Sequence, residues 1–237
     1  MPIPPLATLT VVGYAPARAA LGAWHLAAQR PLLRGVPGLR FAKLLGTGGG
    51  IGFSARPDLA TWALFAVWAA PADWARFRDN SRVLRQYRRR GREVYTLRLT
   101  PLWAHGRWDG QDLFGELPPA PPEPAAPVAV LTRATLRALR ALRFWRQVPR
   151  VDRTLRRADG RLFSLGFGEL PYLRQGTLSV WRSTAEMEAW AYADPAHREV
   201  IRRTRAEGWY AEELFARFRV HGKEGTWRGR DPLQGGG

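Results

Sequence analysis

WALFAVWAAPADWARFRDNSRVLRQYRR, beginning at Trp62, and GTLSVWRSTAEMEAWAYADPAHREVIRR, beginning at Gly176, are one pattern written twice. The spacing that sets Trp68 on Trp181 also sets Phe65 on Leu178, Val67 on Val180, Trp74 on Met187 and Phe77 on Trp190. The same spacing puts His197 where the first copy has Leu84. With a slightly longer second half, VYTLRL at 94–99 falls on FARFRV at 215–220, and Trp108 then resembles Trp227 in a similar segment after a strand.

Working outward, both halves read alike. Strands open them at 6–13 and 127–132, followed by helices at 17–34 and 135–147. Apolar strands come next, at 39–45 and 162–167, then strands at 62–68 and 177–181. In the second of these, Phe163, Leu165 and Phe167 share one face and Ser164 and Gly166 the other, the period of a strand. Helices at 72–89 and 185–206 precede a closing strand in each half. Asp194 before Pro195 is either a cap or a break in the last helix. The order β-α-β-β-α-β is the ferredoxin-like pattern, a two-layer α+β unit. The predicted fold class is therefore α+β, with tandem duplicated ferredoxin-like units whose sheets pack together or close into a barrel. The first unit spans 1–115 and the second 128–229. ELPPAPPEPAAP at 116–127 holds six prolines and reads as an extended linker, and 230–237 reads as a flexible tail.

Composition narrows the chemistry. Cysteine is absent, which removes disulfides, thiolate metal sites and cysteine nucleophiles. The net charge of +17 suits a polyanion or an anionic surface, yet the basic residues are spread along the whole chain. No zinc-finger, dinucleotide or phosphate-loop pattern accompanies them, so nucleic acid is not an expected partner. No apolar run reaches the roughly 18 residues of a membrane-spanning helix, and the N-terminus lacks a secretory leader. The expected location is cytoplasmic, or peripheral to a membrane. GTGGGIGF at 46–53 is a turn between strands, or a loop that covers a pocket.

TLSVWRSTAEMEAWAY at 177–192, DPAHREVIRRTRAEGWYAEELFARFRVHGKEGTWRG at 194–229 and RPLLRGVPGLRFAKLLGTGGGIGF at 30–53 carry a resemblance. In their sequence and order they resemble the spheroidene monooxygenase family of carotenoid biosynthesis. The resemblance implies a dimeric α/β-barrel type of fold and a haem b cofactor. It implies insertion of a keto group into an acyclic carotenoid such as spheroidene, using dioxygen and electrons from a donor such as ferredoxin. Packing against another copy of the chain as a homo-oligomer is compatible with it.

Under that resemblance the iron needs a ligand, and without cysteine the usual choices are histidine, tyrosine or methionine. Of His25, His105, His197 and His221, His197 is the first choice, because it shares the apolar face of the last helix with Val200, Ile201 and Thr204. A buried histidine satisfied by a hydrogen bond, or an acid–base group, would occupy the same place. Arg182, just after Trp181, is a candidate partner for a haem propionate. No catalytic acid or base stands out. The rival reading is a non-enzymatic α/β-barrel protein that binds haem or a small apolar ligand.

Overall fold

Alternating apolar residues build the strands, and proline, serine and aspartate mark where the helices start. The first half runs β1 (Leu6–Gly13), α1 (Ala19–Leu33), β2 (Leu39–Gly48), β3 (Pro57–Trp68), α2 (Pro71–Asn80), α3 (Arg82–Arg90) and β4 (Glu93–Gly106). The second runs β5 (Val128–Leu136), α4 (Ala138–Arg156), β6 (Arg161–Leu170), β7 (Arg174–Trp181), α5 (Thr184–Ala193), α6 (Pro195–Glu207) and β8 (Tyr210–Gly225). This computed structural model describes residues 5–50, 52–119 and 126–234, without the side chains at 20, 21 and 23–27. Residues 120–125 of the proline-rich segment, and 235–237, lie outside that description.

Two expected helices are pairs. The first breaks at Ser81, whose hydroxyl accepts the Leu84 N–H at 3.0 Å. The second breaks at Asp194, whose carboxylate accepts the His197 N–H at 2.7 Å, with Pro195 as the next residue. Both are N-caps in extended backbone conformation that end one helix and start the next. α4 passes its expected end at 147 and continues through Pro149. An interior proline costs a helix a hydrogen bond, but the apolar pattern carries on to Leu155, which is buried.

The eight strands close into an antiparallel barrel in the order β1-β3-β2-β6-β7-β5-β8-β4. Each half contributes four neighbouring strands, and the halves join at β2–β6 and β4–β8. Leu9, Leu97, Leu131, Leu178 and Phe218 point inward and belong to one core cluster drawn from both halves. The helices lie outside. Leu6 pairs with Trp68 and Val128 with Trp181, so Leu9 and Leu131 hold equivalent places. Leu97 lies opposite Leu9 and Ala216 opposite Leu131. Leu97 therefore corresponds to Ala216, not to Phe218 as the sequence match put it. Residue similarity had slid the strand along without changing its face, which the two-residue period of a strand permits.

Each end of the barrel is stoppered by a tryptophan. After β4 and after β8 the chain turns at Gly106 (φ +95°) and Gly225 (φ +82°). A Cβ at Gly106 would lie 2.1 Å from the Glu213 carbonyl oxygen, and one at Gly225 2.0 Å from that of Val94, so only glycine fits. Trp108 and Trp227 follow, both buried in the interior cluster. Glu212 accepts the Asp109 and Gly110 N–H groups at the first turn, and Glu93 accepts the Gly229 N–H at the second. The expected flexible tail is held in part: Lys223 pairs with Asp231, and Leu233 packs against the core.

Candidate functional site

The outer faces of the two halves differ. In the first, Thr8 and Thr10 of β1 and Leu64 and Ala66 of β3 are buried under the helices. They join Trp68, Trp74, Phe77 and Leu84 in one packed layer, and Trp68 donates its indole N–H to Thr8 Oγ1 at 3.0 Å. The equivalent positions in the second half, Val130, Thr132, Thr177 and Ser179, are only half-buried. The packed layer there is split in two. Val128, Leu155, Trp181 and Met187 form one cluster, and Leu136, Phe144 and Trp209 another. Val148 and Val200 join the second, so α4 and α6 meet each other there. Between the two clusters Thr132, Thr177 and Ser179 are only half-covered where the first half buries Leu64 and Ala66, and we read this thinly covered stretch of sheet as a cleft.

The glycine-rich segment crosses from the first half to wall this cleft. A Cβ at Gly166 of β6 would lie 1.8 Å from the Gly52 carbonyl oxygen, so the segment rests directly on the sheet. Phe53 meets Phe144 edge to face at 5.1 Å. The corresponding turn between β6 and β7 is much shorter.

His197 stands at the third position of α6, as Leu84 does in α3. Its Nδ1 is 2.8 Å from the Ala191 carbonyl oxygen. A carbonyl only accepts, so Nδ1 carries the proton and Nε2 keeps its lone pair. The ring packs at a tilt against Trp190, centroids 4.4 Å apart, and Trp190 stacks on Trp181 at 5.3 Å. Burial holds the imidazole below its usual pKa, against the opposing pull of the Ala191 carbonyl and Asp194. The neutral form is favoured. The Trp190 indole N–H, beside it, is buried without a hydrogen-bond partner.

Arg182 lies near the same end of the sheet and is 60% exposed. It donates to Glu186 at 2.8 Å and to the Asp159 carbonyl at 3.2 Å. His105 and His221 are exposed, away from the cleft, and the side chain of His25 lies outside the described residues.

Sequence reading passed over a second polar centre. Arg133 on β5 points into the barrel and is 1% exposed. It pairs with Glu212, with Glu169 at 3.1 Å and with Asp109 at 3.5 Å, and its guanidinium lies over the Trp108 ring. Lys43 pairs with Asp109, and with Glu169 at 3.0 Å. Burial raises the Glu212 carboxyl, but the Gly110 and Asp109 N–H groups and Arg133 outweigh it and hold it low. The signal was present in the alternation of β5, where an arginine falls on the face of Ala129 and Leu131. The network closes one barrel end and is far from His197 along the strands.

No protein-family model matches the chain. Three relatives do, each named spheroidene monooxygenase. The protein from Rhodobacter capsulatus is 39% identical over 86% of this chain and 85% of its own length. That from Rubrivivax gelatinosus is 40% identical over 94% and 84%, and that from Cereibacter sphaeroides 37% over 84% and 61%. Among solved structures, an aldoxime dehydratase covers 91% of the chain and 81% of its own with a TM-score of 0.62 at 14% identity. A second, in complex with butyraldoxime, gives 0.56. Those likenesses concern the fold alone. The identities carried along nearly the whole length place this chain in the spheroidene monooxygenase family.

Proposed function

We propose that the protein is a haem-dependent monooxygenase that introduces a keto group into an acyclic carotenoid, with the haem held in the outer cleft of the second half. Family membership supports the reaction class. The observation that carries the site is the His197 ring, half-buried, held in its neutral form and with its Nε2 lone pair uncommitted among the described contacts.

A haem fits these residues. An iron ligand must be a neutral imidazole whose other nitrogen is fixed by an acceptor, and Ala191 supplies that acceptor. A flat macrocycle needs a floor of short side chains, which Thr132, Thr177 and Ser179 provide. When bound, haem supplies the reductive activation of dioxygen, with electrons from a donor such as a ferredoxin. Each oxygenation takes one dioxygen, two electrons and two protons and releases one water. Two at the same carbon leave a geminal diol, which loses water to give the ketone.

The chain's own part is placement and exclusion. His197 would hold the iron through Nε2, with Trp190 packed against its ring. Phe53, Phe144, Leu155 and Met187 form apolar walls that keep water from the reacting carbon. Arg182 would exchange Glu186 for a haem carboxylate. The two halves are read as a duplication of one ferredoxin-like unit, 1–115 and 128–229, in which only the second copy gained an imidazole. Ser81 with Leu84 and Asp194 with His197, each a cap and the residue it caps, support that reading.

The test is spectroscopic. Protein purified from cells fed a haem precursor should carry a Soret band, and His197→Ala should lose it while the far-ultraviolet circular dichroism is unchanged. A parent protein without haem under those conditions overturns the mechanism. Haem uptake with no oxygenated product from a panel of acyclic carotenoids and a reducing system would leave a haem-binding protein of another function.

A further inference from the structure

α4 presents an unusual outer face. Leu139 is 95% exposed and Leu142 63% exposed, one turn apart. The same stripe continues through Arg146, Arg150 and Arg153, all exposed and with no acidic partner recorded among the described residues. Trp145, the next position along from Leu142, donates its indole N–H to the Tyr172 carbonyl at 2.9 Å and packs edge-on against the Tyr172 ring. Tyr172 and Leu170, in the β6–β7 turn, are 53% and 47% exposed. Leucines, a tryptophan and a tyrosine thus form one apolar ridge, extended by three free arginines.

We infer that this ridge is a docking surface for an anionic lipid bilayer. Isolated leucines on a surface are ordinary, but two on one turn beside Trp145, Tyr172 and Leu170 form a contiguous patch. The patch is a helix flank and a turn, with Leu139 95% exposed, far more open than a side chain lining a peptide groove. Tryptophan and tyrosine prefer the boundary between headgroups and acyl chains, and arginine stems lie along apolar surface with the charge at the phosphates. The net charge of +17 complements anionic headgroups. A nucleic acid would engage the arginines and leave the leucines without a role.

The ridge also adjoins the cleft of the second half. Phe144, beside Trp145 in sequence and edge-on to it at 5.4 Å, meets Phe53 on the cleft side. An apolar molecule leaving a bilayer at this ridge would arrive beside the cleft.

The measurement needs neither haem nor carotenoid, so it stands or falls apart from the oxygenase reading. The purified full chain is sedimented with vesicles of phosphatidylglycerol and phosphatidylcholine, and with vesicles of phosphatidylcholine alone. Binding to the anionic vesicles is expected, at least about tenfold stronger than to the neutral ones. The double variant Leu139→Ser, Leu142→Ser should bind the anionic vesicles about tenfold or more weakly with unchanged circular dichroism. Arg146→Glu with Arg150→Glu should lose the preference for anionic lipid. In the parent chain, amide exchange at 138–146 and 170–173 should slow on vesicle binding. A parent protein that stays in the supernatant overturns the inference. So does a leucine variant that binds as well as the parent, the result expected if the true partner is a polyanion such as nucleic acid.

Discussion

The first half of this barrel wears its helices tightly, and the second half holds them off the sheet. Trp68, Trp74 and Phe77 fill the first layer, and Leu84 completes it. Trp181, Met187 and Trp190 begin the same layer in the second, but the next place is His197 and the strands beneath carry threonine and serine. One architecture thus yields a sealed face and an open one. The difference lies in a few side chains: one half keeps its apolar layer packed while the other carries less apolar volume on the same face.

The largest effect should come from the sealed face. Trp68→Ala should lower unfolding free energy by about 3–5 kcal/mol, as for other buried tryptophans, measured by urea titration. Trp181→Ala should cost about half as much, because its surroundings border a cleft and can relax into it. Equal losses would break the comparison. Next, Arg133→Met leaves Glu169 and Glu212 without their shared partner. Removing one member of a buried network is strongly destabilising, but Lys43 remains and the carboxylates are partly exposed. A loss of about 2–3 kcal/mol is expected, and under the proposed haem site no change in haem uptake, since the network lies at the other end of the strands from His197.

Phe53→Ala sharpens the link between halves. The side chain is half-buried against Phe144, so about 1–2 kcal/mol should be lost. If haem binds as proposed, its retention should fall as well, because Phe53 comes from the first half and packs on Phe144. Full retention would mean that the second half closes its cleft alone. The smallest effect is one of pH. The folded pKa of His197 is depressed, so the unfolded chain binds the proton more readily. Its contribution is fully present above the unfolded value of about 6.5 and is lost as pH falls through that value toward the folded one. His197→Leu, which copies Leu84, should flatten that part of the stability profile in the haem-free protein. An unchanged slope would remove His197 as its source.

Much of the strand and helix order was legible because two stretches of the sequence carry aromatic and apolar residues at like spacing. Trp68 with Trp181 set the register of two strands, and the strand limits of β1 emerged as predicted. The helix breaks were harder. Asp194 before Pro195 announces one, but Ser81 has no proline after it, and a single serine within a helical pattern is weak evidence of a cap. α4 was cut short because Pro149 reads as a stop, while burial of Leu155 decided otherwise. His197 could be singled out from its helical face, yet its bond to Ala191 depends on the angle between α5 and α6, which no spacing reveals. Arg133 was hidden by its charge. A sequence reader places arginine outside, and only the carboxylates of Glu169 and Glu212, remote in the chain, make its burial affordable.

The two tryptophan plugs have a consequence for where a guest can go. With Trp108 at one mouth, Trp227 at the other and leucine and phenylalanine between them, the lumen is solid. Many closed sheets carry their cargo inside, but this one serves as a wall. Under the proposed reading a large ligand lodges between sheet and helix, where a few substitutions can reshape its berth without disturbing the interior hydrogen-bonded ring. Changes of substrate preference in this lineage should therefore map to α4, α5, α6 and the 46–53 segment, and leave the strands' inward residues alone.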